Sequence, residues 1–364
     1  MHKLGLSIYP EHSTREKDFA YMELGAKYGF TRIFTCLLSV AQDKDKIFDE
    51  FGTFMKKAHE LGYEVAVDTN PEVFKVLGAT PLDLKAFHEL EVDIIRLDGH
   101  FDDFLDRAIT HNQYGIKIEF NGSADTTIDF LLKHGADIHN MCVCHNFYPQ
   151  RYSGISWDLF MMCNEKWKDL GLHTAAFVSS NEKNTFGPWP VSAGLPTVEI
   201  HRNLPIDLQA RHMLACELID DILIGNTFAS EEELKALSQI DTTKTMMRLD
   251  LDENISETEK DILFNSPHCG RGDYSDFYVR STLPRFTFGK ESIPYRKHTD
   301  TKFHRGDVVI VNDNLKHYRA ELEIVLQDIE NDGERNYVGK LAEHEIIILD
   351  ELELHQDHMF GFVK

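Results

Sequence analysis

Gly115-Ile116-Lys117-Ile118-Glu119-Phe120-Asn121-Gly122 alternates apolar and polar residues and ends in a carboxylate, an amide and a glycine. It reads as a short strand with a polar terminus, and strands of this kind recur through the first two thirds of the chain. Amphipathic helical patterns separate them, which is the rhythm of βα units and a parallel sheet. In a (β/α)₈ barrel the ends of the parallel strands converge on one mouth, so position alone makes Glu119 a catalytic candidate. The plainer alternative is a strand end that only opens a loop.

Outward from this stretch the pattern predicts strands over Lys3 to Ile8, Thr31 to Leu38, Tyr63 to Asp68, Asp93 to Leu97, Ile138 to Cys144, His173 to Val178 and Asp221 to Ile224. Helices are expected from a Ser13/Glu16 capping box to Gly29, over Phe48 to Leu61, Thr80 to Glu89, Thr126 to His134, Trp157 to Leu170 and Asp207 to Glu217, with a second capping box at Ser230/Glu233. Eight strands in about 230 residues is the usual size of such a barrel. A long irregular segment, punctuated by Gly187-Pro188-Trp189-Pro190 and Gly194-Leu195-Pro196, closes with Glu199-Ile200-His201-Arg202; insertions of this length tend to be functional. Beyond Asp241 the chain becomes strand-rich, over Thr245 to Leu251, Ser275 to Arg280, Asp307 to Val311, Ala320 to Leu326 and Glu345 to Leu354. The expected architecture is α/β: a TIM-like barrel over 1–240 and a small, mostly antiparallel β domain over 241–364.

Composition narrows the function. The chain has 364 residues and a formal charge of -23, and a surface that acidic repels nucleic acid and anionic lipid. Neither partner is expected. The N-terminal apolar run is too short for a signal peptide and no stretch reaches membrane-spanning length, so a cytoplasmic protein is expected. Six cysteines in no disulfide-framework spacing read as reduced and buried. Cys142 and Cys144 should share one strand face, as core residues or, less simply, as metal or redox groups.

The strand-end carboxylates are Glu11, Asp68, Asp98 and Glu119. Glycoside hydrolysis needs two carboxyl groups, one protonated and one ionised, and Asp98 and Glu119 end successive strands. Asn121, His145, Asn146, Tyr148, Glu199, His201 and Arg202 are the polar companions, able to hydrogen-bond or stack against a sugar. For an anionic substrate group the helix start at Ser230 is opposed by Glu231, Glu232 and Glu233. Arginines suit better, because guanidinium grips phosphate bidentately: Arg202, the run around Arg271, and Arg280-Ser281 followed by Arg285. No His-Glu-x-x-His and no Gly-x-Ser-x-Gly occurs, so neither a metal nor another cofactor is expected.

Several of these stretches together resemble one bacterial family. They are Leu4 to Glu11, Arg96 to Gly99, Ile118 to Asn121, Cys144 to Pro149, Glu199 to Arg202, and Arg280-Ser281 with Arg285. The family was once labelled "outer surface protein", and its characterised members are 6-phospho-N-acetylmuramidases. The resemblance implies a barrel with a cyclophilin-like β domain, acting inside the cell. It further implies an exo-acting glycosidase that splits N-acetylmuramic acid 6-phosphate from N-acetylglucosamine in peptidoglycan recycling. The expected partner is thus a phosphorylated amino-sugar disaccharide, and a homo-oligomer is allowed. From strand position Asp98 and Glu119 are the expected carboxyl pair, while Arg280, Ser281, Arg285 and Arg202 are expected to meet the substrate's anionic groups. Two other classes stay open: a carbohydrate-binding protein without turnover, and a metal-dependent sugar-phosphate isomerase or aldolase.

Overall fold

Eight short parallel strands form a closed barrel in the computed structural model, which describes residues 2–37, 44–123, 127–190 and 193–363. They are β1 (Lys3–Ser7), β2 (Arg32–Cys36), β3 (Glu64–Thr69), β4 (Ile94–Leu97), β5 (Lys117–Asn121), β6 (Met141–Cys144), β7 (His173–Val178) and β8 (Asp221–Ile224). Closure comes from β1 pairing β8, with Leu6 opposite Ile224. The expected α/β barrel is therefore present.

Local chemistry starts and stops the helices. The first runs Arg15–Lys27 with Thr14 as its cap; Ser13, expected in that role, instead donates to the carboxylate of Asp18. The Ser230/Glu233 capping box forms as expected. Of the segment Thr80 to Glu89 only Lys85–Glu89 is helical, because Thr80 and Asp83 bridge each other in a turn first. The predicted endpoints Leu38 and Thr126 lie outside the described residues, and Ile138–Asn140 is a 3₁₀ turn that precedes β6.

Alternation along the strands decides what fills the barrel. Phe34, Cys36, Cys144, Ala175, Phe177 and Leu223 pack in its interior with Tyr9. Beneath them the filling is ionic. Arg32 Nη1 donates to Asp221 Oδ2 at 2.7 Å, its Nη2 donates to Glu119 Oε2, and all three side chains are at most 1% exposed. His173 Nε2 lies 2.9 Å from Asp221, and Glu64 is bridged by Lys3 and Lys117. Burial opposes ionisation of Asp221, yet His173 and Arg32 hold its carboxyl down at about 2.

Two compact units are distinguishable: Met1–Ala210 with Leu218–Gln239, and Arg211–Glu217 with Ile240–Lys364. The second unit carries a seven-stranded sheet built from β9 (Thr245–Leu251), β10 (His268–Cys269), β11 (Tyr278–Ser281), β13 (Asp307–Val311), β14 (Leu322–Val325), β16 (Arg335–Leu341) and β17 (Met359–Val363). Its order is β10-β17-β9-β16-β13-β14-β11, antiparallel except for β17 beside β9. A separate ribbon pairs β12 (Lys302–Phe303) with β15 (Ile329–Glu330). One expected strand is a helix: Ile346–Leu354 buries Ile348, Leu349, Glu351 and Leu352, a spacing that lies on one helical face. Within this unit Glu345 accepts both Arg211 Nη1 and Nη2, at 2.5 and 2.7 Å.

Truncating Arg32 to Met leaves two buried carboxylates without their cation, so unfolding in urea should lose about 3–5 kcal/mol. A loss below about 1 kcal/mol would show that the ionic floor contributes little.

Candidate active site

The strands place two acids and one arginine in the upper barrel, with a third acid, Glu119, below them. Arg96 and Asp98 are two residues apart on and just beyond β4 and so share a face, with Asp68 opposite Arg96 on β3. Arg96 Nη1 donates to Asp68 Oδ1 at 2.8 Å and lies 3.6 Å from Asp98 Oδ1; Nη2 donates to Asn146 Oδ1. One buried guanidinium nitrogen thus gathers two carboxyl groups. Asp98 is 46% exposed at its side chain, whereas Asp68 is nearly buried. Burial pushes the Asp68 carboxyl up to about 6, against the pull of Arg96 and with help from the charges of Asp98 and Glu119.

Glu119 sits lower, fully buried. One oxygen accepts from Arg32 and lies 3.7 Å from Cys142 Sγ; the other, Oε1, meets no donor among the described residues. Asp98 and Glu119 therefore differ sharply in access. Cys142 and Cys144 both face inward, as their spacing predicts, and burial raises both thiols well above their ordinary value. Among the described residues no group of His, Cys, Asp and Glu is arranged to hold a metal.

The polar companions fall into two sets. Asn146 joins Arg96 at the mouth, and Asn121 Oδ1 receives the amide of Ser123. Tyr148 is half-buried at the rim, its amide bonded to Pro196 O. His145 is fully enclosed between Ser123 Oγ and Asn164 Oδ1, and burial lowers its imidazole to about 4. His201 is equally buried and lowered to about 3.

Glu199 and Arg202 form a staple between loops. Arg202 donates to both Glu199 oxygens and to the carbonyls of Ala193, Tyr148 and Gln150, while Glu199 also accepts the amides of Tyr152 and Gly154. The Arg202 hydrogen bond, aided by the two amides, holds Glu199 at about 2. With its donors occupied by the chain itself, Arg202 holds the rim together and has no fork to offer a phosphate. Arg280, Ser281 and Arg285 lie in the second unit. There Arg280 pairs with Asp273, Ser281 is buried against His268, and Arg285 donates to Glu321 and His317 O.

Trp189 belongs beside these residues. It is half-exposed, near Phe147, on a segment anchored by His12 Nε2 at 2.9 Å from Pro188 O. The Gly-Pro-Trp-Pro punctuation marked the segment but not the ring. Arg96 was legible only as part of a motif. A cleft of about 490 Å³ opens on the β7–β8 side, lined by Asn181, Thr185, Gly194 and Asn226 among others, and none of the three acids lines it.

Two family models match the chain: "6-phospho-N-acetylmuramidase, N-terminal" over residues 4–239 and "6-phospho-N-acetylmuramidase, C-terminal" over residues 245–362. The chain belongs to the 6-phospho-N-acetylmuramidase family. An uncharacterised B. cereus protein of known structure is 40% identical with a TM-score of 0.91, over 100% of this chain and 99% of that one. A conserved Enterococcus faecalis protein of unknown function shares the fold, at 24% identity and a TM-score of 0.70, over 100% of this chain and 96% of that one. Comparison with curated proteins finds no match. Among the described residues of this family member, no helix is long and apolar enough to cross a membrane.

The raised Asp68 carboxyl gives stability a definite pH dependence. Its folded value of about 6 lies above the ordinary 3.8, so between those values the folded chain holds a proton that the unfolded chain has released. The resulting contribution is present below about pH 4 and disappears as pH rises through about 6, by roughly 3 kcal/mol. Urea unfolding of the wild type and Asp68→Asn from pH 4 to pH 7 should diverge by that order, the wild type losing stability relative to the variant. Parallel curves would mean that Asp68 titrates at its ordinary value.

Proposed function

We propose that the chain hydrolyses the glycosidic bond between N-acetylmuramic acid 6-phosphate and N-acetylglucosamine, working in the cytoplasm on a disaccharide from peptidoglycan recycling. Membership of the 6-phospho-N-acetylmuramidase family supports the reaction class. The observation that carries the chemistry is the shared Arg96 nitrogen, 2.8 Å from Asp68 and 3.6 Å from Asp98, with Asp68 raised to about 6.

Asp68 is the proton donor in this reading. A carboxyl that keeps its proton to about pH 6 can deliver it to the leaving oxygen, the task of a general acid. Asp98, open to solvent at the mouth, is the second carboxyl group. Two carboxyl groups that share one guanidinium nitrogen stand closer to the spacing of about 5 Å for retaining enzymes than to the wider inverting spacing, so retention is favoured. Arg96 and Asn146 orient the acids, and the face of Trp189 offers a platform for a sugar ring. Glu119 supports the site from below: its charge helps raise Asp68, while its full burial against Arg32 keeps it from the substrate. The pair expected from strand order thus becomes Asp98 with Asp68.

Steady-state hydrolysis of the phosphorylated disaccharide tests the assignment. Asp68→Asn and Asp98→Asn should each lower kcat by about 10²–10⁴-fold with little change in KM. Wild-type kcat/KM should decline as pH rises above about 6, when Asp68 loses its proton. Glu119→Gln should lose stability more than turnover. A folded Glu119→Gln chain with a hundredfold loss of kcat, beside a nearly active Asp68→Asn chain, would return the role to Glu119.

A further inference from the structure

The second unit contains a cleft whose charge is opposite to that of the chain as a whole. It measures about 440 Å³ and is lined by Arg271, Arg285, Lys290, Lys316 and Arg319, with Phe286 on its wall. Three of these cations have acidic partners: Arg271 with Asp273, Arg285 with Glu321 at 3.1 Å, and Arg319 with Asp313 at 2.9 Å. The side chains of Lys290 and Lys316 have no ion pair or hydrogen bond among the described residues, and Arg319 Nε, though buried, has no acceptor there. Two positive charges therefore remain uncompensated in one concavity, on a protein whose formal charge is -23. With so many acids available in the chain, these two lysines still face an open cleft.

The arginines are preset around it. Arg285 is held by Glu321, by the carbonyl of His317 and against the ring of Tyr318, and Arg319 by the carbonyl of Glu291 and by Asp313. Such anchoring removes rotamer freedom before any ligand arrives, which lowers the cost of binding. Phe286 is 87% exposed and lines the cleft, so its ring face is open to a ligand held there. A ligand that places an anion among the lysines and an apolar ring face on Phe286 satisfies both features. Pyranose rings have that face, and a phosphate monoester supplies the anion.

We propose that this cleft is a binding site for a sugar phosphate, with Lys290 and Lys316 neutralising the phosphate and Phe286 packing on the sugar. The inference goes beyond the barrel's carboxyl assignment and stands on the second unit alone. The ligand is a free sugar phosphate, separate from the disaccharide split in the barrel.

Titration calorimetry on the full chain tests it, with glucose 6-phosphate, glucose and inorganic phosphate as probes at low salt. Glucose 6-phosphate should bind to the wild type and to Asp68→Asn alike, inorganic phosphate more weakly and glucose not measurably. The double variant Lys290→Glu/Lys316→Glu, which breaks no partner contact and should keep the wild-type melting temperature, should bind glucose 6-phosphate at least tenfold more weakly. Phe286→Ala should erase the preference for glucose 6-phosphate over phosphate. Undiminished binding by the double variant, loss of binding in Asp68→Asn, or tighter binding of a single-stranded oligonucleotide would each overturn the proposal.

Discussion

A guanidinium with no access to water, bonded to one carboxylate from β5 and another from β8, underlies the barrel. Arg32 reaches across the interior to Glu119 and Asp221, residues 87 and 189 positions away in sequence. Charges in such a place are costly to desolvate and are tolerated only because each meets its opposite. Their mutual need sets which strands face one another. Burial is the main reason the Asp68 carboxyl is raised, and the charges of Asp98 and then of Glu119, the one acid of the floor that reaches it, add to the effect. The ionic floor and the chemistry above it are thus one electrostatic system, with Arg96 as the upper counterpart of Arg32.

An apolar cluster packs in the same interior. Phe34, Phe177, Cys144 and Leu223 belong to it, and Tyr9 donates its hydroxyl to Gly225 O beside them. Water is kept from Arg32, Glu119 and Asp221, while Asp98 at the mouth stays near it. Glu119 and Asp98 differ in exposure accordingly.

How much of this was legible in the sequence depended on the range of the interaction. Strands β7, β8, β9 and β13 were readable to the residue, because short apolar or alternating runs bounded by polar or glycine residues signal locally. The Ser230/Glu233 box was readable for the same reason, since its two hydrogen bonds span three residues. The helix Ile346–Leu354 was read as a strand because Ile-Ile-Ile-Leu favours extended backbone; burial of one helical face overrode that preference, and burial is a tertiary fact. The same limit governed the site. Asp68, Asp98 and Glu119 could all be named as strand ends, but nothing in their spacing said that Glu119 belongs to Arg32, or that Arg96 joins Asp68 to Asp98. Glu199 and Arg202 looked like ligand groups because their types suit a sugar phosphate. Their partners are backbone amides and carbonyls of two loops, which no residue type reveals.

That staple has a thermodynamic consequence. Its hydrogen bonds join the chain around Tyr148–Gly154 to the chain around Ala193–Arg202, and they form when the protein folds. The conformational entropy of this part of the rim is therefore lost during folding and not at the encounter with a ligand. Binding at the mouth should then show a small entropic penalty from the loops, with discrimination among sugars arising from the fit to an already ordered edge. Change in the rim through evolution is constrained mainly at Glu199, since its loss leaves the buried Arg202 guanidinium without a counter-charge.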